Sequence, residues 1–256
     1  MTKIREDALV IRQDALLEDV FSLWIQSEAI AAQARAGQFL SLYCREGSRL
    51  LPRPISICQI DRERGQIRLV YRTVGAGTRE FAACRAGDRI SVLGPLGNGF
   101  PEIDKDKSAL LLGGGIGIPP MLEAARELAC RKTAVLGYRD QMFLKEEFEP
   151  FGPVYVSSED GSFGTRGNVL DAVRENGLTA DVILACGPKP MLKAVKEYAA
   201  AHGIECWLSL EERMACGVGA CLACVCQTKD VDGHSNVHNR RVCKDGPVFR
   251  AEEVEL

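Results

Sequence analysis

The stretch LLLGGGIGIPP, residues 110–120, is an apolar run that breaks into glycines and then meets two prolines. Three leucines ahead of Gly113, Gly115 and Gly117 read as a strand ending in a tight turn. Pro119 and Pro120 suit the first turn of a helix, where a missing N–H removes no intrahelical bond. Such a turn lets backbone N–H groups approach an anion, because no Cβ intrudes and the helix N-terminus adds favourable potential. The glycines at 113, 115 and 117 do not follow G-x-G-x-x-G, so the ordinary dinucleotide fingerprint fails. A tight turn without any ligand is the other reading of this stretch.

Downstream, strand-like and helical patterns alternate. A strand is expected over 109–112, a helix over 119–131, a strand over 133–138 and a short helix over 142–148. A strand at 154–157, a helix at 168–176, a strand at 182–186 and a helix at 190–202 follow. This rhythm implies a parallel sheet with right-handed crossovers and a ligand at the carboxyl ends of its strands. A second strand-to-helix opening, ACGPKPM at 185–191, carries Cys186 and Gly187, and two such openings on one sheet favour a dinucleotide. In the loop SSEDGSFG, 157–164, Glu159 and Asp160 can accept hydrogen bonds from an adenosine ribose and would repel a 2'-phosphate. NAD(H) is therefore expected over NADP(H). Cys186 is the residue placed nearest the reactive nicotinamide ring, its alternative being a buried thiol that ends a strand.

Upstream, six short apolar runs (ALVIRQ, VFSLWIQS, FLSLYCR, ISICQID, QIRLVYRTV and RISVLGPLG) are divided by turn-forming breaks, as in an antiparallel barrel or sandwich. Hairpin turns are expected at 62–65 and 86–88. The polar segment PEIDKDKSA, from Pro101, reads as a linker. The expected architecture is an α+β multi-domain chain: an antiparallel β-barrel at 1–100, a parallel α/β domain at 101–205 and a small C-terminal lobe at 206–256.

That lobe has too few apolar residues to hold a core alone, and its chemistry lies in cysteine. Of eleven cysteines in 256 residues, Cys216, Cys221, Cys224, Cys226 and Cys243 fall in the last 41 positions. The spacing Cys216-x4-Cys221-x2-Cys224…Cys243 matches that of plant-type [2Fe-2S] proteins. Gly217 and Gly219 let the loop turn and bring amide donors to sulfur. A structural zinc site would call for paired C-x2-C knuckles from both halves, and the second half offers only Cys243. Cys226 would face the same side of a strand as Cys224 and could in principle replace Cys243; we read it as a bystander.

Composition bounds the rest. With 46% hydrophobic and 26% charged residues the chain can bury a sizeable core. A net charge of −3, from 32 basic and 35 acidic residues, gathers no polyphosphate, so nucleic acid is not an expected partner. No stretch approaches the ~20 apolar residues of a membrane span, and the N-terminus lacks the apolar run of a secretory signal. The expectation is a soluble, cytoplasmic protein.

In the barrel half, Arg53-Pro54-Ile55-Ser56 precedes Val70-Tyr71-Arg72 and the glycine turn ending in Gly77-Thr78. An arginine for pyrophosphate, a hydroxyl for the reactive ring edge and a glycine turn are what a flavin site needs. Here the chain resembles the ferredoxin reductase family, a flavin barrel followed by a nicotinamide domain. Ile55 stands where that family usually has tyrosine. With EERMACGVGACLACVC at 211–226 and VCKDGPVF at 242–249, the resemblance narrows to its branch of electron-transfer subunits of NAD-dependent dihydroorotate dehydrogenase. The resemblance implies FAD on Arg53, Pro54, Ile55, Ser56, Val70, Tyr71, Arg72, Gly77 and Thr78, and a [2Fe-2S] cluster on Cys216, Cys221, Cys224 and Cys243. It also implies NAD as co-substrate and an FMN-containing catalytic subunit, in a heterotetramer of two of each chain, serving pyrimidine synthesis. An apolar surface around the cluster lobe is expected to meet that partner.

Overall fold

A computed structural model describes residues 2–233 and 236–256. All six apolar runs of the first hundred residues are strands: β1 (Ile4–Ala15), β2 (Val20–Gln26), β3 (Phe39–Tyr43), β4 (Arg53–Asp61), β5 (Gln66–Arg72) and β6 (Arg89–Leu96). They close into an antiparallel barrel in the order β1-β2-β5-β4-β3-β6. Alternation puts Leu23, Ile25, Leu40, Leu42, Ile57, Ile67, Leu69 and Val92 in its interior. The barrel also carries two short helices that the strand pattern conceals, α1 (Glu28–Ala31) and α2 (Ala76–Ala82). The expected hairpin at 62–65 joins β4 to β5, but the turn at 86–88 joins α2 to β6. It is tied to β1 by Gly87 N–H donating to the Val10 carbonyl at 2.9 Å.

A seven-stranded sheet forms the second body, from β7 (Ser108–Gly114), β8 (Arg131–Tyr138), β9 (Val154–Ser158), β10 (Thr165–Arg166), β11 (Val182–Cys186) and β12 (Glu205–Ser209). Its order is β10-β9-β8-β7-β11-β12, all parallel, with a last strand antiparallel to β12. Helix α3 (Ile118–Glu127) starts on the two prolines and stops short of the expected 131, because Arg131 already pairs with Ser108 in the sheet. Helix α4 is only Lys145–Phe148, since Leu144 adopts φ 63° and cannot continue a right-handed helix back to Met142. Helix α5 (Val169–Glu175) begins at Asn168, whose side chain accepts from Leu170 and Asp171 N–H. Helix α6 (Lys189–His202) ends at Gly203, φ 65°.

The boundary expected at 205/206 falls inside β12, so the sheet runs on past it. The remaining chain forms the hairpin β13 (Val225–Gln227) and β14 (Asn239–Arg241), then returns as β15 (Val248–Arg250) to cap the sheet edge beside β12. The lobe is therefore stitched into the second body.

Carboxylates fasten the two bodies together. On α3, buried Glu123 accepts the Ile60 N–H of β4 at 3.0 Å and pairs with Arg126 at 3.1 Å, while Glu127 accepts the Ala36 N–H at 2.8 Å. Burial raises the Glu123 carboxyl despite Arg126. Arg68, buried on β5, donates to Ser22 at 2.8 Å and Gln59 at 2.7 Å and grips Glu147 of α4. No helix among the described residues is long and apolar enough to cross a membrane.

Candidate functional site

Strand β4 carries the flavin-type residues on alternating faces. Pro54 and Ser56 line a cavity of about 360 Å³, whereas Ile55 points the other way and packs on the barrel core. Phe39, Leu210, Glu211, Met214 and Pro247 help close that cavity, whose volume lies within the range of small-molecule sites. Glu211 is crowded by protein but open to the cavity, and desolvation raises its carboxyl above the usual carboxylate range.

At the start of β4, the Arg53 guanidinium lies over the first turn of α2. A Cβ at Gly77 would stand 2.6 Å from Arg53 Nε, so a larger residue there would push the guanidinium off this turn. Thr78 Oγ1 accepts the Val74 N–H at 3.0 Å and the Gly75 N–H at 3.2 Å, fixing the turn. Arg53, Gly77 and Thr78 are thus brought together at the α2 turn, while Pro54 and Ser56 meet at the cavity. Val70 and Tyr71 are not: both side chains are buried, Val70 against the second body and Tyr71 in the barrel core, where its hydroxyl accepts from Gln13 at 3.1 Å. Arg72 pairs with Asp19 at 3.1 Å and lines a separate cavity of about 320 Å³.

That second cavity lies where the nicotinamide-type glycines open. Gly115, φ 53°, has no neighbour within 4 Å of an added Cβ, and Tyr138, Arg139 and Asp140 stand across the cavity from it. Gly113 is a strand residue paired with Cys186 and Leu136. Gly117 abuts the Cys186 carbonyl, and an added Cβ at Gly187 would meet Met191 at 2.7 Å, so these two glycines interlock the two strand-to-helix turns. Cys186 is buried, and desolvation, aided by Glu211, pushes its thiol up to about 12. That is the state of a strand-ending core thiol. Glu159 and Asp160 are exposed beyond β9, and Asp160 accepts the Ser162 N–H at 3.0 Å within its own loop. Sequence reading missed Asp19, Arg139 and Asp140; charges just past β8 were the available signal.

The cysteines converge as two pairs. Cys224 precedes β13 and Cys243 follows β14, so the hairpin closes the long spacer: Val242 N–H donates to the Cys224 carbonyl at 2.9 Å and Cys243 N–H to Cys224 Sγ at 3.4 Å. Cys224 is brought down to about 6 by the hydrogen bond from the Cys243 thiol, which is itself pushed up. Burial pushes Cys216 up, but N–H donors from Val218 (3.4 Å) and Ala220 (3.3 Å), with Cys221, more than reverse this and hold it at about 6. Among the described residues no three His, Cys, Asp or Glu side chains gather around one point as a single ion needs. Two thiol pairs with amide donors aimed at sulfur suit a two-iron cluster, in which each iron takes two thiolates. Cys226 faces the lobe's core and burial raises it to about 11.

Two glycines and one ion pair shape this loop. Gly217, φ 68°, is pressed against Ser41 of β3, and Gly219, φ 87°, against Lys244. Buried Arg241 pairs with Asp245 at 2.9 Å and donates to the Gly219 carbonyl at 3.2 Å, fastening the loop to the hairpin. Their symmetric placement about Cys243 was the overlooked signal.

A flavin-type barrel joined to a nucleotide-type sheet, with a thiol lobe beside the flavin strand, defines a ferredoxin-reductase-type electron carrier with an iron–sulfur lobe. Residues 10–100 match the oxidoreductase FAD-binding domain, and residues 211–255 match the iron-sulfur cluster binding domain of dihydroorotate dehydrogenase B. The electron transfer subunit of dihydroorotate dehydrogenase B (NAD(+)) from Geobacillus thermodenitrificans is 45% identical, covering 98% of this chain and 99% of that one. Its counterpart from Shouchella clausii is 41% identical over 100% of both chains. Among solved structures, a chain of an NADH-dependent reduced ferredoxin-NADP oxidoreductase superposes with TM-score 0.87 at 32% identity, covering 98% of this chain and 90% of that one. The chain belongs to the family of electron transfer subunits of NAD(+)-dependent dihydroorotate dehydrogenase B.

Proposed function

We propose that this chain carries electrons drawn from dihydroorotate at FMN in a catalytic partner subunit to NAD+, by way of a [2Fe-2S] cluster and FAD. When bound, the cluster supplies one-electron transfer and the flavin links single electrons to hydride exchange with nicotinamide. The chain's own residues position these groups. Arg53 and Gly77 offer a charged, Cβ-free seat for the FAD pyrophosphate, and Ser56 orients the ring edge in the cavity it shares with Pro54. Cys216, Cys221, Cys224 and Cys243 hold the irons, and N–H donors from Val218, Ala220 and Cys243 stabilise the sulfurs. Gly115 opens toward the dinucleotide, and Glu159 selects NAD+ by repelling a 2'-phosphate.

The observation that carries this reading is the shared cavity: Ser56 of the flavin strand and Met214, two residues before Cys216, line the same space. Exposed Leu222 beside exposed Cys221 supports a partner docking over the cluster loop. The complex is read as two of each chain, related by the two-fold axis that is the commonest closed symmetry. Eleven unpaired cysteines suit the cytoplasm. The test is anaerobic isolation from the native host with assay of iron, acid-labile sulfide, flavin and the accompanying subunit. About two irons and two sulfides per FAD, with an FMN-containing dehydrogenase, are expected; a colourless zinc protein would contradict the reading. The 32% relationship to the ferredoxin-NADP oxidoreductase chain favours one alternative, a reductase serving ferredoxin, and a ferredoxin-dependent partner in that isolate would select it.

A further inference from the structure

Ser41 stands at the middle of β3, fully buried, and its hydroxyl has no hydrogen-bond partner among the described residues. A hydroxyl stripped of water and left unpaired is costly, so a group in this position points to a partner that the bare polypeptide does not supply.

Alternation gives that hydroxyl its direction. Leu40 and Leu42 fill the barrel interior, so Phe39 and Ser41 face outward, and Phe39 packs in the core that holds Cys224 and Cys243. The strand partners of Ser41 agree. Leu93 of β6 packs against that same core, and Pro54 of β4 lines the cavity assigned to the flavin. What lies against Ser41 is the Cys216–Cys221 loop: a Cβ at Gly217 would stand 2.8 Å from Ser41 Oγ but 3.9 Å from Ser41 Cβ, so the oxygen leads toward the loop. In this loop the Val218 and Ala220 N–H groups already point at Cys216 Sγ, and no backbone carbonyl takes the Ser41 proton. The acceptors that iron–sulfur loading adds beside Gly217 are negatively charged sulfurs.

We propose that the Ser41 hydroxyl donates a hydrogen bond to a sulfur of the bound [2Fe-2S] cluster, on its Cys216 side, and so raises the cluster's reduction potential from a barrel strand. The inference rests on the cluster reading above. A donor stabilises the more negative reduced state more than the oxidised one, which sets the sign.

The experiment is a redox titration of the anaerobically isolated holoprotein followed by electron paramagnetic resonance, in wild type, Ser41→Ala and Ser41→Thr. Proton electron–nuclear double resonance of the reduced cluster, before and after exchange into D2O, is recorded on the same samples. In Ser41→Ala, iron, sulfide and FAD contents are expected to match wild type, because the substitution removes a single oxygen. Its one-electron equilibrium is expected to move about three- to tenfold toward the oxidised cluster, roughly 30–60 mV lower in potential. One exchangeable proton coupling should vanish, and the FAD potential should stay in place. Ser41→Thr keeps the hydroxyl and is expected to keep both the potential and the coupling. Either an unmoved cluster potential or a full set of exchangeable couplings in Ser41→Ala would overturn the assignment. So would a shift of the flavin potential in place of the cluster's, which would give the hydroxyl to the flavin. If Ser41→Ala takes up no cluster, Ser41→Thr decides: a cluster at the wild-type potential supports the role, and its loss here too overturns it. A wild-type chain without any [2Fe-2S] signal would instead overturn the cluster reading, and the role of Ser41 with it.

Discussion

Gly217, in the loop between Cys216 and Cys221, approaches Ser41 of the barrel so closely that a Cβ built on it would stand 2.8 Å from the serine hydroxyl. Ser41 is paired in register with Pro54, the neighbour of Arg53 on the flavin strand. One strand spacing, about 4.8 Å, thus separates β3, on which the Cys216–Cys221 loop rests, from β4, which faces the cavity lined by Pro54 and Ser56.

Replacing Gly217 with alanine puts a side chain at φ 68° and drives it toward Ser41. The strain is of the order of 1–3 kcal/mol. Iron and sulfide content should fall while FAD content stays at the wild-type level, as read by metal assay and the visible spectrum. Full cluster occupancy in this variant would mean that the loop does not rest on the barrel as described.

Arg53→Ala should weaken both FAD and FMN binding by about 10- to 100-fold, the worth of a charged hydrogen bond to phosphate. Arg53→Lys should restore only part of the loss, because an ammonium cannot reproduce the guanidinium fork. Fluorescence titration of the deflavinated chain reads both effects.

Asp245 gives the lobe an acid limit. Burial pushes its carboxyl up, but the hydrogen bonds and charge of Arg241 more than reverse this, so its pKa is lowered on folding. A lowered carboxylate contributes stability that is fully present above the ordinary aspartate range, about pH 4, and is lost as pH falls through the folded value. Asp245→Asn should destabilise the cluster at neutral pH and flatten its loss on acidification, followed by cluster absorbance from pH 7 to 3.

Arg68 ties the barrel to α4 through Glu147 while also serving Ser22 and Gln59. Arg68→Ala leaves these groups without their partner and should cost about 3 kcal/mol. Calorimetry should then show the barrel and the sheet melting separately, where one transition is expected of the wild type.

What the sequence disclosed and what it hid have distinct physical causes. Barrel strands announce themselves through two-residue alternation, and β11 falls at 182–186 as expected because five consecutive buried residues are bounded by polar turns. Cysteine spacing reports ligand order directly. Helix α2 was hidden because its first turn, AGT, reads as a loop, and β12 because the cysteine-rich texture begins within it. Ile55, Val70 and Tyr71 carry motif positions whose side chains turn into the cores, a matter of strand phase that a motif does not state. The contacts of Gly217 with Ser41 and of Arg241 with Gly219 join positions far apart in the chain, and only the folded structure brings them together.

The account depends above all on electrons passing between the flavin of the barrel and the cluster of the lobe within one chain. Anaerobic titration of the isolated holoprotein with NADH, followed by visible absorption and low-temperature electron paramagnetic resonance, tests this directly. The expected result is flavin reduction accompanied by the rhombic signal of a reduced [2Fe-2S] centre, with no other protein added. Flavin bleaching while the cluster stays oxidised, or a chain that yields no iron–sulfur signal even with dithionite, would contradict it.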